Sequence, residues 1–247
     1  PPGAPPVHRR RGLDMAYDDF RTNLSLRRFL LIILSQIELC KSGCTLYHEE
    51  NSLLGSSLSK MRDSGTPAPI ESCLLYLEDR KFFTHRGAEL RSIPRALRRY
   101  LRTGRLGGMS TIEQQMVRIV TDRRERTAIR KARELMLAVL LDLHMTKAEI
   151  LTAYCNASYL GYRLRGVDST SDFIFRRPAV ALDYDQAAFI SSLLPYPMPK
   201  TVHGMIEDGS IVAYSASDII YHPRVVGLAW AGRIEARWKY VLAGLGV

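Results

Sequence analysis

Leu74, Leu75 and Leu77 lead up to Glu78, and the chain continues Asp79, Arg80, Lys81, Phe82, Phe83, Thr84, His85, Arg86, Gly87. A carboxylate at the edge of an apolar run is a candidate general base, because partial burial moves a carboxyl group toward the range that proton abstraction needs. The plain structural alternative is a helix-end acid paired with Arg80 or Lys81. A second stretch, GGMSTIEQQMVR at 107–118, leads glycines into a helix N-terminus, where free backbone N–H groups suit phosphate. Ser110 and Thr111 add hydroxyls there, and Gln114 lies one turn on. The third stretch, RTAIRKARE at 126–134, sets Arg130 one turn from Glu134 and puts Lys131 on the same face. Such a run reads either as a solvated, ion-paired face or as a cation cluster for a pyrophosphate, with Glu134 orienting the cations.

Helices have to position these groups. The pattern from Glu71 to Leu194 is helical. Ser110 with Glu113 reads as a capping box before QQMVRIV, and Thr146 with Glu149 as another before ILTAYC. Asp183 can cap a helix through QAAFISSLL, and RIEARWKYVLAGL closes the chain as a further helix. Ala132, Leu135, Met136, Val139, Leu140 and Leu143 recur at three- and four-residue steps and predict a buried face. Strand signals are weak, so the fold class is mainly α. Residues 1–25 read as a Pro-rich basic tail or linker and 26–247 as one domain, with its motif-bearing core at about 66–200. Residues 51–69 are Ser- and Gly-rich and lid-like.

The bulk composition limits the classes. Apolar residues are 46 % of 247, a globular figure, and 35 Lys and Arg against 25 Asp and Glu give +10. That balance suggests a polyanionic partner: nucleic acid, an anionic membrane surface or a phosphorylated substrate. No nucleic-acid partner is expected, since the basic run RALRRYLRTGR at 95–105 carries no base-reading motif. Cys40, Cys44, Cys73 and Cys155 fit neither a disulfide framework nor a zinc site, so no metal ligands are assigned. The most apolar run, Phe29–Ile37, is too short to span a bilayer and reads as a packed amphipathic helix.

The order of the motifs is more specific than any one of them. Glu-Asp-x-x-Phe-x-x-His-x-Gly at 78–87 is followed by Gly-x-Ser-Thr-Ile-x-Gln-Gln at 108–115. Arg-Thr-x-x-Arg-Lys-x-x-Glu at 126–134 and Lys-x-Glu-Ile-Leu-x-x-Tyr-x-Asn at 147–156 come next. Tyr159 and Gly161 follow, and Arg237, Tyr240, Val241 and Leu242 close the pattern. This series resembles the peptidoglycan glycosyltransferases: monofunctional biosynthetic transglycosylases and the glycosyltransferase domains of class A penicillin-binding proteins.

The resemblance implies a lysozyme-like fold of two lobes, a globular head and a smaller apolar jaw that dips into the membrane, with a glycan cleft between them. It implies lipid II as acceptor, a growing strand as donor, β-1,4 polymer as product, and undecaprenyl pyrophosphate released with inversion. Glu78 matches the general base and Glu134 the second carboxylate, beside the leaving diphosphate. Arg118, Arg126, Arg130 and Lys131 match the cations around that diphosphate, and Ser110, Gln114 and Tyr159 match donor-side cleft positions. Phe82, on its residue type alone, reads as a structural support. No cofactor is obligatory, although some members use a divalent metal, Mg or Mn, at the diphosphate. The implied partners are lipid II, the strand, the membrane surface through the jaw, and cell-wall synthesis proteins. The implied location is the outer, periplasmic face of the cytoplasmic membrane, although no transmembrane segment is visible in this chain.

Some positions depart from the pattern. Met109 and Arg163 stand where glycine is usual, Arg165 replaces an aromatic, and Arg176 replaces the Gly of a Tyr-Phe-Gly-Lys stretch. Arg118 replaces a Lys, Glu113 a Thr and Gln186 a Glu. The alternative reading is therefore a weakened or inactive relative that binds lipid-linked glycan or scaffolds wall synthesis, in which Arg163, Arg165 and Arg176 would block the cleft. The catalytic reading expects Glu78 and Glu134 to share a cleft with Arg126 and Lys131. It also expects exposed apolar side chains before Cys73.

Overall fold

Three of the helices that carry the motif residues begin at a threonine. The computed structural model describes residues 34–35, 37–46, 67–88, 98, 102, 110–122, 125 and 127–247, of which residue 128 by its backbone alone. Helix α1 (Pro69–Glu78) has proline in its first turn, where a missing N–H is no loss. Helix α2 (Ile112–Thr121) is capped by Thr111, whose hydroxyl accepts from Gln114 N at 3.3 Å. Helix α3 (Ala128–His144) is capped by Thr127, which accepts from Arg130 N at 3.1 Å. Helix α4 (Lys147–Ala157) opens with the expected Thr146–Glu149 capping box. A small antiparallel hairpin follows, β1 (Tyr159–Gly161) with β2 (Leu164–Arg165). The chain then runs through α5 (Val167–Phe175), a 3-10 turn (Ala179–Ala181), α6 (Tyr184–Ser192), α7 (Lys200–Glu207), α8 (Ala216–Ile220) and α9 (Ala229–Leu245). Asp183 caps α6 and closes a capping box with Gln186, so the Gln at that position keeps a structural role.

Two expectations are corrected. Ser110 is not a cap: α2 starts one residue later than the Ser110–Glu113 box requires. Thr111 is fixed at the cap because its hydroxyl also donates to Gly87 O at 2.7 Å, and Glu113 turns into the protein, fully buried. The buried face of α3 is not the predicted stripe either. It runs through Glu134, Leu137, Ala138 and Leu141, while Ala132 and Leu143 are exposed. An apolar-rich helix carries more than one apolar stripe, and the one turned inward here holds the carboxylate that the neighbouring cations require.

The helices form two packed groups. In one, α1 lies against α6 and α6 against α9. In the other, α2 lies against α3 and α4. Helix α6 is buried from Gln186 to Ser192 and α4 from Ile150 to Ala157, so over those residues each is a core rod with no solvent-exposed face. Phe82, at 1 % exposure, packs in this core as a structural support. The helical residues 37–46 bury Ile37, Cys40 and Cys44, and Gly43 lets them approach Val120 at the far end of α2. All four cysteines are free thiols and buried. Burial pushes Cys40 up to about 11 and Cys44, Cys73 and Cys155 up to about 12.

Gly87 joins the Glu78 segment to α3. Its φ is +69°, and a Cβ there would lie 2.2 Å from Ala138 O. Both the backbone angle and the close approach require glycine. Gly87→Ala is expected to cost about 3 kcal/mol of stability, read as a lower midpoint in urea unfolding. A midpoint equal to the wild type would contradict this packing.

Among the described residues no helix is long and apolar enough to cross a membrane. Leu34, Leu39 and Leu46 are exposed apolar side chains before Cys73. The rest of the lid-like stretch, most of the Phe29–Ile37 run, most of 95–105, and Arg126 and Met109 lie outside the described residues.

Candidate active site

Glu134 is 4 % exposed, and three cations meet it. Arg118 Nη2 approaches Oε1 at 2.9 Å and Lys131 Nζ the same oxygen at 2.8 Å, while Arg130 Nη1 donates to Oε2. The helix spacing supplies this: Arg130 and Lys131 sit four and three residues before Glu134 on α3, and Arg118 reaches over from α2. Lys131 also donates to Ser110 Oγ at 2.8 Å and to Gln114 Oε1 at 2.6 Å. Arg118 donates to Ser110 Oγ at 3.3 Å. Burial alone would push the Glu134 carboxyl up, but the hydrogen bonds and charges of Arg118 and Lys131 hold it below its ordinary value. Burial outweighs Glu134 at Lys131 and lowers that ammonium. Three cations around one carboxylate leave a surplus of two positive charges, matching a diphosphate diester. A small cavity adjoins the cluster, lined by Val117, Arg118, Thr121, Arg130 and Leu137 among others. Both Glu134 oxygens are occupied by cations, so this donor set does not fit a resident divalent metal.

Glu78 ends α1 in the other helix group. Its Oε1 accepts from Arg237 Nη2 at 2.7 Å and its Oε2 from Gln115 Nε2 at 3.1 Å. Gln115 is fixed in turn, because its Oε1 accepts from Tyr154 OH at 2.8 Å. Glu78 is therefore paired with neither Arg80 nor Lys81. Arg80 lies over the Tyr76 ring at 3.7 Å and donates to Tyr240 OH. The two carboxylates are linked through consecutive residues of α2: Gln115 holds Glu78, and Gln114 holds the lysine that holds Glu134. A carboxylate offers about four lone-pair positions. The two contacts to Glu78 leave room for it to take a proton.

A buried ion network braces this arrangement. His85 Nε2 lies 2.8 Å from Asp79 Oδ2, and its Nδ1 faces Glu113 Oε1 at 4.0 Å. Lys147 bonds Glu113 and reaches Asp142 at 2.7 Å. Asp79 Oδ2 also accepts from Ile112 N at 3.2 Å, which fixes the residue after Glu78 to the first turn of α2. Ligand-type atoms of Asp79, His85 and Glu113 gather within 4.8 Å. The two carboxylates address opposite ring nitrogens, and Lys147 lies on Glu113. Burial works against a charged His85, but Asp79 and Glu113 outweigh it and raise the imidazole. Burial outweighs Lys147 at Glu113 and raises that carboxyl.

The sign of the pH dependence follows. A raised His85 stabilises the fold fully below its unfolded value near 6.5, and the contribution is lost as pH rises through the higher folded value. A raised Glu113 acts in the same direction from lower pH, its contribution fading as pH rises. His85→Gln is therefore expected to cost about 2 kcal/mol near pH 6 and clearly less near pH 9. Thermal unfolding at both pH values reads the difference, and an equal loss at both would refute the charged imidazole.

Most of the residues singled out in the sequence meet here. Ser110, Gln114, Arg118, Arg130, Lys131 and Glu134 form one cluster, joined to Glu78 through α2. Tyr159 is not part of either cluster: it is exposed at the start of β1, and among the described residues no hydrogen bond or ion pair joins it to the carboxylates. Arg126 lies outside the described residues. Arg163 and Arg176 stand over Tyr162 and Phe173 and pair with neither carboxylate. Sequence reasoning missed Gln115, Tyr154 and Arg237 as site residues. The signal available was the closing Arg237-x-x-Tyr240 match and the second Gln of the Gln-Gln pair.

Comparison with known proteins places this geometry. A family model described as transglycosylase matches residues 54–208. Penicillin-binding protein 1B of Escherichia coli (strain K12) is 38 % identical over 136 residues, covering 53 % of this chain and 16 % of that protein. The biosynthetic peptidoglycan transglycosylase of Acinetobacter baylyi is 36 % identical over 121 residues, covering 49 % of this chain and 54 % of that protein. That of Alcanivorax borkumensis is 33 % identical over 129 residues, covering 52 % of this chain and 53 % of that protein. The matched part thus spans about half of those transglycosylases and a much smaller share of the penicillin-binding protein. The mainly helical architecture agrees with a lysozyme-like domain, and the matched residues include Glu78, Glu134 and every helix from α1 to α7. This chain belongs to the transglycosylase family.

Proposed function

We propose that this chain is a peptidoglycan glycosyltransferase that polymerises lipid II into β-1,4 glycan strands. The observation that carries the reading is the pairing of Glu78 with a three-cation cluster, through adjacent residues of one helix. Glu78 takes the proton of the acceptor's GlcNAc 4-hydroxyl as that oxygen bonds to the donor's anomeric carbon. The bond from that carbon to the diphosphate oxygen breaks on the opposite face, so configuration inverts, and the electron pair leaves with undecaprenyl pyrophosphate. Arg118, Arg130 and Lys131, with Arg126, stabilise the charge that develops there. Glu134 positions those cations, Ser110 and Gln114 position Lys131, and Arg237 and Gln115 position Glu78. Tyr159 lines the donor side of the cleft.

The partners are lipid II and the growing strand, and no step needs a protein-bound metal. The exposed Leu34, Leu39 and Leu46 support contact with a membrane surface, as does the net charge of +10. That surface is the outer face of the cytoplasmic membrane, where lipid II is presented, beside other wall-synthesis proteins. Polymer formation from labelled lipid II in detergent, wild type beside Glu78→Gln, tests the reading. Polymer from the wild type alone supports it, and none from either overturns it.

A further inference from the structure

Arg163 and Arg176 hold φ of +59° and +54°, the left-handed region that glycine occupies freely and a residue with a Cβ enters at a cost. Both side chains are exposed, so packing does not compel the choice. Arg176 caps α5 in this conformation, its N–H donating to Asp172 O, as Asp122 caps α2, so the exposed guanidiniums rather than the backbone angles are what a ligand would meet. The two guanidiniums and Lys200 are arranged about one column of rings. Phe173 stacks on His203 with centroids 4.4 Å apart, and Tyr162 meets His203 edge-on at 5.4 Å. His203 is buried at the middle of the column. Arg163 and Lys200 lie 5.4 and 5.3 Å from the Tyr162 centroid, and Arg176 lies 6.0 Å from that of Phe173. None of the three forms an ion pair with a described residue, so their charges are available to a ligand.

Arg163 forms the turn of the β1–β2 hairpin, and Tyr159 at its start pairs across to Arg165. We propose that Arg163, Arg176 and Lys200, backed by Tyr162 and Phe173, bind the carboxylates of the peptides carried by the product strand beyond Tyr159. This rests on the glycosyltransferase reading, which makes a peptide-bearing glycan the polymer leaving the site. A guanidinium fork matches a carboxylate, and a row of such forks suits an anionic group repeated along a strand. A ring column with exposed cations at both ends also suits a ligand that alternates sugar and charge.

The test is binding of fluorescent glycan strands with intact uncrosslinked peptides, and of the same strands stripped of peptides, by anisotropy. Arg163→Gly with Arg176→Gly suits the observed φ values and preserves the fold. Arg163→Asn with Arg176→Asn, also tolerant of that backbone, is the second pair. Two exposed guanidiniums together are expected to be worth about tenfold in affinity. The wild type is expected to bind peptide-bearing strands about tenfold more tightly than either double variant, less so as salt rises. Stripped strands are expected to bind all three equally weakly.

Equal binding of peptide-bearing strands by wild type and variants would overturn the proposal. So would the same loss on stripped strands, or an arginine-dependent affinity shown only for vesicles of anionic lipid. Arg224→Ala, which removes an exposed arginine outside both clusters, serves as the charge control and is expected to bind strands like the wild type. If the wild type fails to polymerise lipid II yet binds peptide-bearing strands through these arginines, the catalytic reading falls and the surface stands.

Discussion

Glu78→Gln is expected to lower the initial rate of glycan polymerisation between about a hundredfold and ten-thousandfold, the span that a positioned general base contributes. The substitution is nearly isosteric. The amide oxygen can still accept from Arg237, which lies 2.7 Å from Glu78 Oε1. The amide nitrogen would face Gln115 Nε2, and Gln115 cannot simply turn over, because its own oxygen accepts from Tyr154 OH at 2.8 Å. One donor is left opposed to another, a stability loss of about 1 kcal/mol. A large fall in rate with a small fall in unfolding midpoint separates chemistry from folding. A rate within tenfold of the wild type would remove Glu78 from the role of base.

Glu134→Ala is expected to act through charge rather than proton transfer. It leaves Arg118, Arg130 and Lys131 facing one another with no counter-charge. Their side chains are 38, 18 and 39 % exposed, so water screens much of the repulsion, and the stability cost is about 1–2 kcal/mol rather than that of a fully buried pair. Polymerisation is expected to fall about a hundredfold as the cations lose their fixed positions. A second reading distinguishes this from loose folding: inorganic pyrophosphate should raise the melting temperature of the variant more than that of the wild type, because the positive surplus has grown by one. Equal shifts would mean that the cluster is not a diphosphate site.

Local signals carried the helices well and the contacts between them poorly. The Thr146 and Asp183 caps and the Arg130, Lys131 and Glu134 arrangement depend on spacings of three or four residues, which a sequence displays directly. The Ser110 cap failed because two hydroxyls stood side by side, and a contact with Gly87, 24 positions away, selected Thr111. The α3 face was misplaced because its deciding residue, Glu134, is polar and was excluded from an apolar count. Arg237 lies 159 positions from Glu78, and no periodicity reports such a contact. The β1–β2 hairpin was missed because its turn uses an arginine in a backbone conformation that sequence patterns assign to glycine.

The four buried thiols have a consequence for how the molecule meets its surroundings. With their pKa values pushed up to about 11 and 12, almost no thiolate exists at neutral pH, and the thiolate is the species that reacts with alkylating agents and oxidants. A folded copy can therefore pass through an oxidising environment without forming a wrong crosslink. Because the sulfurs sit in the same core that the helices enclose, they become reactive only as that core opens. The cysteines thus act as a built-in clock, dark while the protein is native and counting only the moments when it is not.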